Sequence, residues 1–260
     1  MTSSLPPPFA VQGTAFFVVA VSILMIACHG MLLVSAGART ALSARMRAVL
    51  PGTVALVLTV WLAWAILAVP EWVQIPEPAP DAGRAVQRPE LLLAMAGFVG
   101  VGIVALFASK SLRVINTAMP PWWLIAVQFY RVAGFLFLWP MWSSGALSGA
   151  FALPAGIGDT LTGLAAPFVA WAVARRKRGS HALAVAWNWF GILDLIVAPV
   201  AAVLAQSTNI GYFPLVVVPL FLGPPLGILT HVYSLRNLRA HRINQANEAK
   251  INASTASAVS

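Results

Sequence analysis

Seven separate stretches of mostly apolar residues recur along this 260-residue chain, each near the roughly 20 residues that carry an α-helix across a bilayer. They run about Gly13–Val34, Val54–Val69, Leu91–Ala108, Trp122–Trp139, Phe151–Val173, Ala182–Leu204 and Tyr212–Tyr233. Lipid offers no partner for a backbone amide, so each stretch must satisfy its own hydrogen bonds as a helix. With 9% charged residues against 60% hydrophobic ones, the chain cannot cover a globule's water-facing surface, for which about 25% charged is usual. The expected fold is therefore all-α: a polytopic transmembrane helix bundle of about seven spans. The fifth stretch contains Pro154, Gly156, Gly158, Asp159, Gly163 and Pro167, and reads as a kinked or broken helix inside the bundle.

Charge in the connections predicts orientation. Arg39, Arg45 and Arg47 follow the first span, Lys110 and Arg113 the third, and Arg175, Arg176, Lys177 and Arg178 the fifth; Arg236, Arg239, Arg242 and Lys250 follow the seventh. Thirteen of the 16 basic residues thus fall on one side, while the second connection, around Pro70–Pro89, holds Glu71, Glu77, Asp81, Arg84, Arg88 and the adjoining Glu90. The positive-inside rule places the N-terminus outside and the C-terminus in the cytoplasm of a bacterial inner membrane. The expected organisation is an external segment 1–12, a membrane domain 13–235 and a flexible cytoplasmic tail 236–260 rich in Ala, Ser and Asn. Met1–Phe9 lacks Lys and Arg, so the first span reads as a retained signal-anchor. Trp61, Trp64, Trp72, Trp122, Trp123, Trp139, Trp142 and Trp171 lie towards span ends, as interfacial anchors do. The net charge of +9 resides beside the spans, which argues for a lipid bilayer as partner and against nucleic acid.

Three ionisable residues belong to no connection. Arg131 lies nine residues beyond Trp122, Asp159 eight beyond Phe151 and Asp194 twelve beyond Ala182, which puts all three near mid-membrane. A lone charge there is costly, so such groups pair or line a wet cavity. One arginine and two aspartates carry a formal −1 when both acids are ionised, which suits a proton relay or a proton-coupled carrier. Gln128 shares a face with Arg131, and Asn188 with Asp194, so both are expected to orient the charged groups. Gly156, Gly158, Gly163 and Gly191 would let the helices approach. A buried ion-pair network that only fixes helix packing is the competing structural reading.

His29 and His231 fall at similar depth in the first and last spans, and two facing imidazoles would suit a haem iron or another transition metal. Cys28, the single cysteine, rules out an internal disulfide and reads as a small hydrophobe. Gly156-Ile157-Gly158-Asp159 resembles the GxGD motif of presenilin-like and prepilin-peptidase-like intramembrane aspartyl proteases, in which two aspartates share a proton. In the presenilin-like group the second acid comes from the preceding span, where this chain has Arg131.

A broader likeness covers roughly residues 122–238. The blocks Gln128–Gly134, Leu153–Asp159 and Trp187–Asp194, with Val218-Pro219-Leu220, His231 and Ser234-Leu235, are similar to the core of a bacterial family of uncharacterised multi-pass membrane proteins. The resemblance implies that Gln128, Arg131, Asp159, Asn188, Asp194 and His231 are the family's pattern residues. Together these readings make a small-solute or proton-coupled transporter the leading expectation, its ligand a proton or a small polar or anionic solute, and an enzyme the less favoured class. A seven-helix sensor with a cytoplasmic partner, a haem redox protein and an intramembrane protease are the alternatives.

Overall fold

The computed structural model describes residues 8–72, 89–138, 149–204 and 214–259, and every element among them is helical. The order is α1 (Pro8–Gly37), α2 (Ala44–Trp72), α3 (Pro89–Ala108), α4 (Lys110–Ala118) and α5 (Pro121–Ala126), the last running into a 3₁₀ helix (Val127–Phe137). Then come α6 (Gly149–Ala174), α7 (Ser180–Leu204) and α8 (Pro214–Val259). Among the described residues, Phe17–Gly37, Ala44–Ala65, Gly149–Ala174 and Ser180–Ala201 are long and apolar enough to cross a membrane. A fifth is added if α3 and α4, bent by 87° at Ser109, form one broken span. Leu67, Val101 and Phe168 are 73%, 71% and 72% exposed, an apolar exterior suited to lipid rather than water. These helices support a membrane location.

Helix α8 is the element on which the others converge. Its Leu222 and Leu226 pack with Met25 and Ile26 of α1 and with Leu58 and Leu62 of α2. Further along, Leu238 joins Ile125, Ala166, Val169, Ala170, Ala184 and Trp187 from α5, α6 and α7. A third apolar cluster, Leu33, Ala36, Ile115, Met119 and Leu124, ties α1 to α4 and α5. At this same end Arg39 lies over the Trp123 ring at 4.5 Å and Lys177 over Trp171 at 5.1 Å, so cations cap the tryptophans there.

Four features depart from the sequence reading. Lys110 and Arg113 sit in α4, not in a loop: Ser109 caps its first turn by accepting from Leu112 N–H at 3.2 Å, and Leu112, Ile115 and Asn116 bury one face. Arg45 and Arg47 belong to the first turn of α2. The fifth span is one continuous helix with Pro154 and Pro167 inside it. Residues 236–259, read as a flexible tail, are helical as the continuation of α8; between Arg236 and Val259 there is no Gly or Pro to stop a helix already nucleated upstream. The connection between α6 and α7 turns tightly through Arg176 (φ 50°) and Gly179 (φ 79°). The first seven residues, nearly all of the acidic connection Pro70–Pro89, Trp139, Trp142 and the start of the last span at Tyr212 lie outside the described residues.

Candidate functional site

The fourth expected span changes helix type in its middle. Val127–Phe137 is a 3₁₀ helix of 11 residues, long for a geometry that rarely persists beyond about four. With about three residues per turn, positions i, i+3 and i+6 eclipse. Gln128, Arg131 and Gly134 are its buried residues and stand in one line, where an α-helix would fan them round its surface. That line faces α6, α7 and α8.

Three glycines make the room. A Cβ on Gly134 would collide with the Asp159 side chain, one on Gly158 with the Asp194 carboxylate, and one on Gly191 with the His231 ring. Gly163 likewise lets α6 meet the Val132 backbone. Each acid, and the imidazole, therefore occupies the place that a neighbour's missing side chain leaves open.

Into this space Arg131 sends a guanidinium whose nitrogens are all engaged. Nε donates to Asp159 Oδ1 at 2.7 Å, and Nη2 lies 2.7 Å from the same oxygen. Nη2 also donates to Asp194 Oδ2 at 2.5 Å. Nη1 donates to His231 Nε2 at 3.0 Å and to the Gly191 carbonyl at 3.4 Å. The chain of bonds then runs one way. Asn188 Nδ2 donates to the Ala184 carbonyl at 2.7 Å, so its Oδ1 faces His231 as an acceptor, 2.9 Å from Nδ1. His231 thus carries its proton on Nδ1 and offers Nε2 as a lone pair to Arg131. The Trp187 ring lies against this one at a tilt, centroids 4.9 Å apart, and donates from Nε1 to the Thr162 carbonyl at 3.2 Å, holding α6 and α7 together.

Burial is unequal. The side chain of Arg131 is 2% exposed, while Asp159 and Asp194 keep 18% and 9%. The cation is sealed in protein and the anions retain an accessible edge. A guanidinium stands between the two acids, and partnering a buried cation this fully is what makes its burial affordable.

The structure brings together Arg131, Asp159, Asp194, Asn188 and His231. Gln128 is fully buried but stands apart from the acids, donating from Nε2 to the Gly227 carbonyl at 3.2 Å and so tying the 3₁₀ helix to α8. Asn188 orients His231 rather than Asp194. His29 and His231, candidate iron ligands by sequence, each have both ring nitrogens engaged by protein groups. His29 Nδ1 donates to the Met25 carbonyl at 2.7 Å, and its Nε2 lies 2.9 Å from Thr230 Oγ1; His231 is spent on Arg131 and Asn188. Sequence reasoning valued His231 chiefly as a metal ligand and missed the roles of Gly134 and Trp187. The three-residue step from Gln128 through Arg131 to Gly134 was the available signal for a 3₁₀ line.

A family model described as a domain of unknown function, DUF8737, matches residues 88–239, more than half of the chain. The match contains every residue of the cluster and begins at α3, further towards the N-terminus than the blocks that start at Gln128. No curated protein and no solved structure matches the chain.

Proposed function

The chain belongs to the DUF8737 family, and we propose that its Arg131–Asp159–Asp194 cluster is a binding site for a proton or small cation in a transporter. The observation that carries this reading is the asymmetry of the cluster. Every nitrogen of Arg131 is already held by protein acceptors, which leaves no donor for an anionic solute. The two carboxylates outnumber the arginine and keep accessible surface, so a cluster with both acids ionised lacks one positive charge. A proton or a cation supplies it. The long 3₁₀ stretch beside the acids supports a moving element, since such segments convert to α-helix by small backbone changes and often mark hinges.

We read the bundle as seven spans of a bacterial inner membrane, N-terminus outside and C-terminus cytoplasmic. The gathering of basic residues at one end of the helices supports that orientation. A binding rather than an enzymatic role is favoured because a guanidinium bridging two carboxylates opposes the shared proton that aspartyl chemistry needs. One observation speaks for a sensor instead. His231, in contact with Arg131, lies on the same α8 that continues to Val259, so a shift of the cluster would be felt along one rod about 69 Å long.

Flux decides between them. In proteoliposomes with an internal pH dye and an imposed potential, wild-type protein should carry protons or a monovalent cation. Asp159→Asn and Asp194→Asn should each cut that flux at least about 10-fold, the loss of roughly 1.4 kcal/mol of function, while eluting as folded protein. Variants that retain wild-type flux, or a wild-type protein with none, would remove the transport reading.

A further inference from the structure

At the basic end of the bundle two further arginines, Arg113 on α4 and Arg236 on α8, have no acid paired with them among the described residues. Helix α4 turns away from α3 by 87° and lies against α8, where Asn116 Nδ2 donates to the Tyr233 carbonyl at 3.3 Å. Asn237 Nδ2 donates to the carbonyls of Asn116 and, at 3.0 Å, of Met119; His241 Nε2 lies 3.0 Å from the same Met119 oxygen. These bonds fix the two helices in register. Arg113, one turn before Asn116, and Arg236, between the Tyr233 and Asn237 that bond α4, fall on the facing sides of the two helices.

Burial, and then the Arg113 charge, lower the pKa of Arg236 below the usual arginine range. Arg113 spends Nη1 on the Phe107 carbonyl at the end of α3. Arg236 Nη1 is buried and has no partner. Among the described residues the only ion pairs are those of Arg131, and Glu248 is the only acid that follows Asp194 in the sequence. A buried guanidinium N–H without an acceptor among the described residues is costly, and a negatively charged acceptor would satisfy it best.

We propose that Arg113 and Arg236 form a site for a phosphate-bearing anion at the membrane surface. Two planar forks on adjoining helices match the several acceptor oxygens of a phosphate, which a single lysine would engage only as a point charge. Exposed Lys110, at the start of α4, adds to the field that draws such an anion. The source is either an anionic phospholipid headgroup or soluble phosphate, and the chemistry of the site is the same for both. It stands independently of the transport reading.

Native mass spectrometry of the full chain, after exposure to equal amounts of phosphatidylglycerol and phosphatidylcholine, reads the site directly. Wild-type protein should retain phosphatidylglycerol selectively. Arg113→Gln and Arg236→Gln should each lower that preference about 10-fold, and Arg236→Lys should recover only part of it. Arg239→Gln, an exposed neighbour in the same basic belt, should leave it unchanged. Retention that survives millimolar inorganic phosphate assigns the headgroup. Displacement by phosphate that itself raises the Tm of lipid-free wild type, but not of Arg236→Gln, assigns the soluble ion. Equal retention of both lipids with no phosphate effect, or an equal loss in Arg239→Gln, overturns the proposal; the wild-type comparison needs no variant to fold.

Discussion

Arg131 and Arg236 are the same side chain pressed against protein in two parts of one molecule, and their surroundings are opposite. Around Arg131, acids on α6 and α7 and a neutral imidazole on α8 meet every guanidinium nitrogen. Around Arg236, the charge of Arg113 acts against it, and one nitrogen is buried without a partner among the described residues. The contrast shows that burying an arginine is a question of supply. The chain has seven acidic residues; two are placed in the central cluster and four precede α4 in sequence. Glu248 is the one acid that follows them in the sequence, and the proposed site answers the charge of Arg236 from outside the protein.

The comparison can be broken most forcefully at the arginines themselves. Arg131→Ala strands two carboxylates among helices and should cost about 3–5 kcal/mol, seen as a collapse of folded yield or a large drop in unfolding temperature in detergent. Arg236→Gln, measured in the same uncharged detergent, should stay within about 0.5 kcal/mol of wild type. Comparable losses in the two variants would erase the distinction between an internally satisfied and an externally satisfied arginine.

A smaller effect tests the glycine-made space. Gly158→Ala drives a methyl into the Asp194 carboxylate and should destabilise by about 1–3 kcal/mol, with loss of cation flux. Gly97→Ala, on α3 where nothing lies within 4 Å of the added methyl, is the matched control and should be neutral or slightly stabilising in thermal unfolding. Equal melting temperatures for the two would mean that the cluster has slack that the packing does not reveal.

The smallest expected effect separates the cluster from its neighbour on α8. Thr230→Val removes the hydroxyl beside His29 and should cost about 0.5–1.5 kcal/mol without changing flux, because that bond joins α1 to α8 and does not reach Arg131. A flux defect as deep as that of Asp194→Asn would extend the functional site to His29.

Much of the cluster was legible beforehand because its constraint is local. An Arg, an Asp and another Asp, each near the middle of an apolar stretch, have few ways to avoid isolation, so depth marked them as candidates to pair, while which contacts form was left to packing. The partners of His29 and His231 were not legible, for the complementary reason. Similar depth says nothing of rotation about the helix axis, and on α8 the imidazole of His231 turns to Arg131 while Thr230 turns to His29. The helical tail escaped notice because a composition rich in Ala, Ser and Asn reads as disorder in isolation, whereas here it extends a helix whose costly first turns are already formed.

What the sequence determined by itself was the class of fold, the apolar exterior and the identity of the charged residues that have to find partners. Hydrophobicity and charge act residue by residue, and lipid admits few backbone solutions. What only the tertiary structure decided was which partner each found. The line formed by Gln128, Arg131 and Gly134 exists because the backbone tightens into a 3₁₀ helix, and the places taken by Asp159, Asp194 and His231 exist because glycines on other helices leave them empty. Helix type and inter-helix distance are set by packing among four segments at once, so no single segment encodes them.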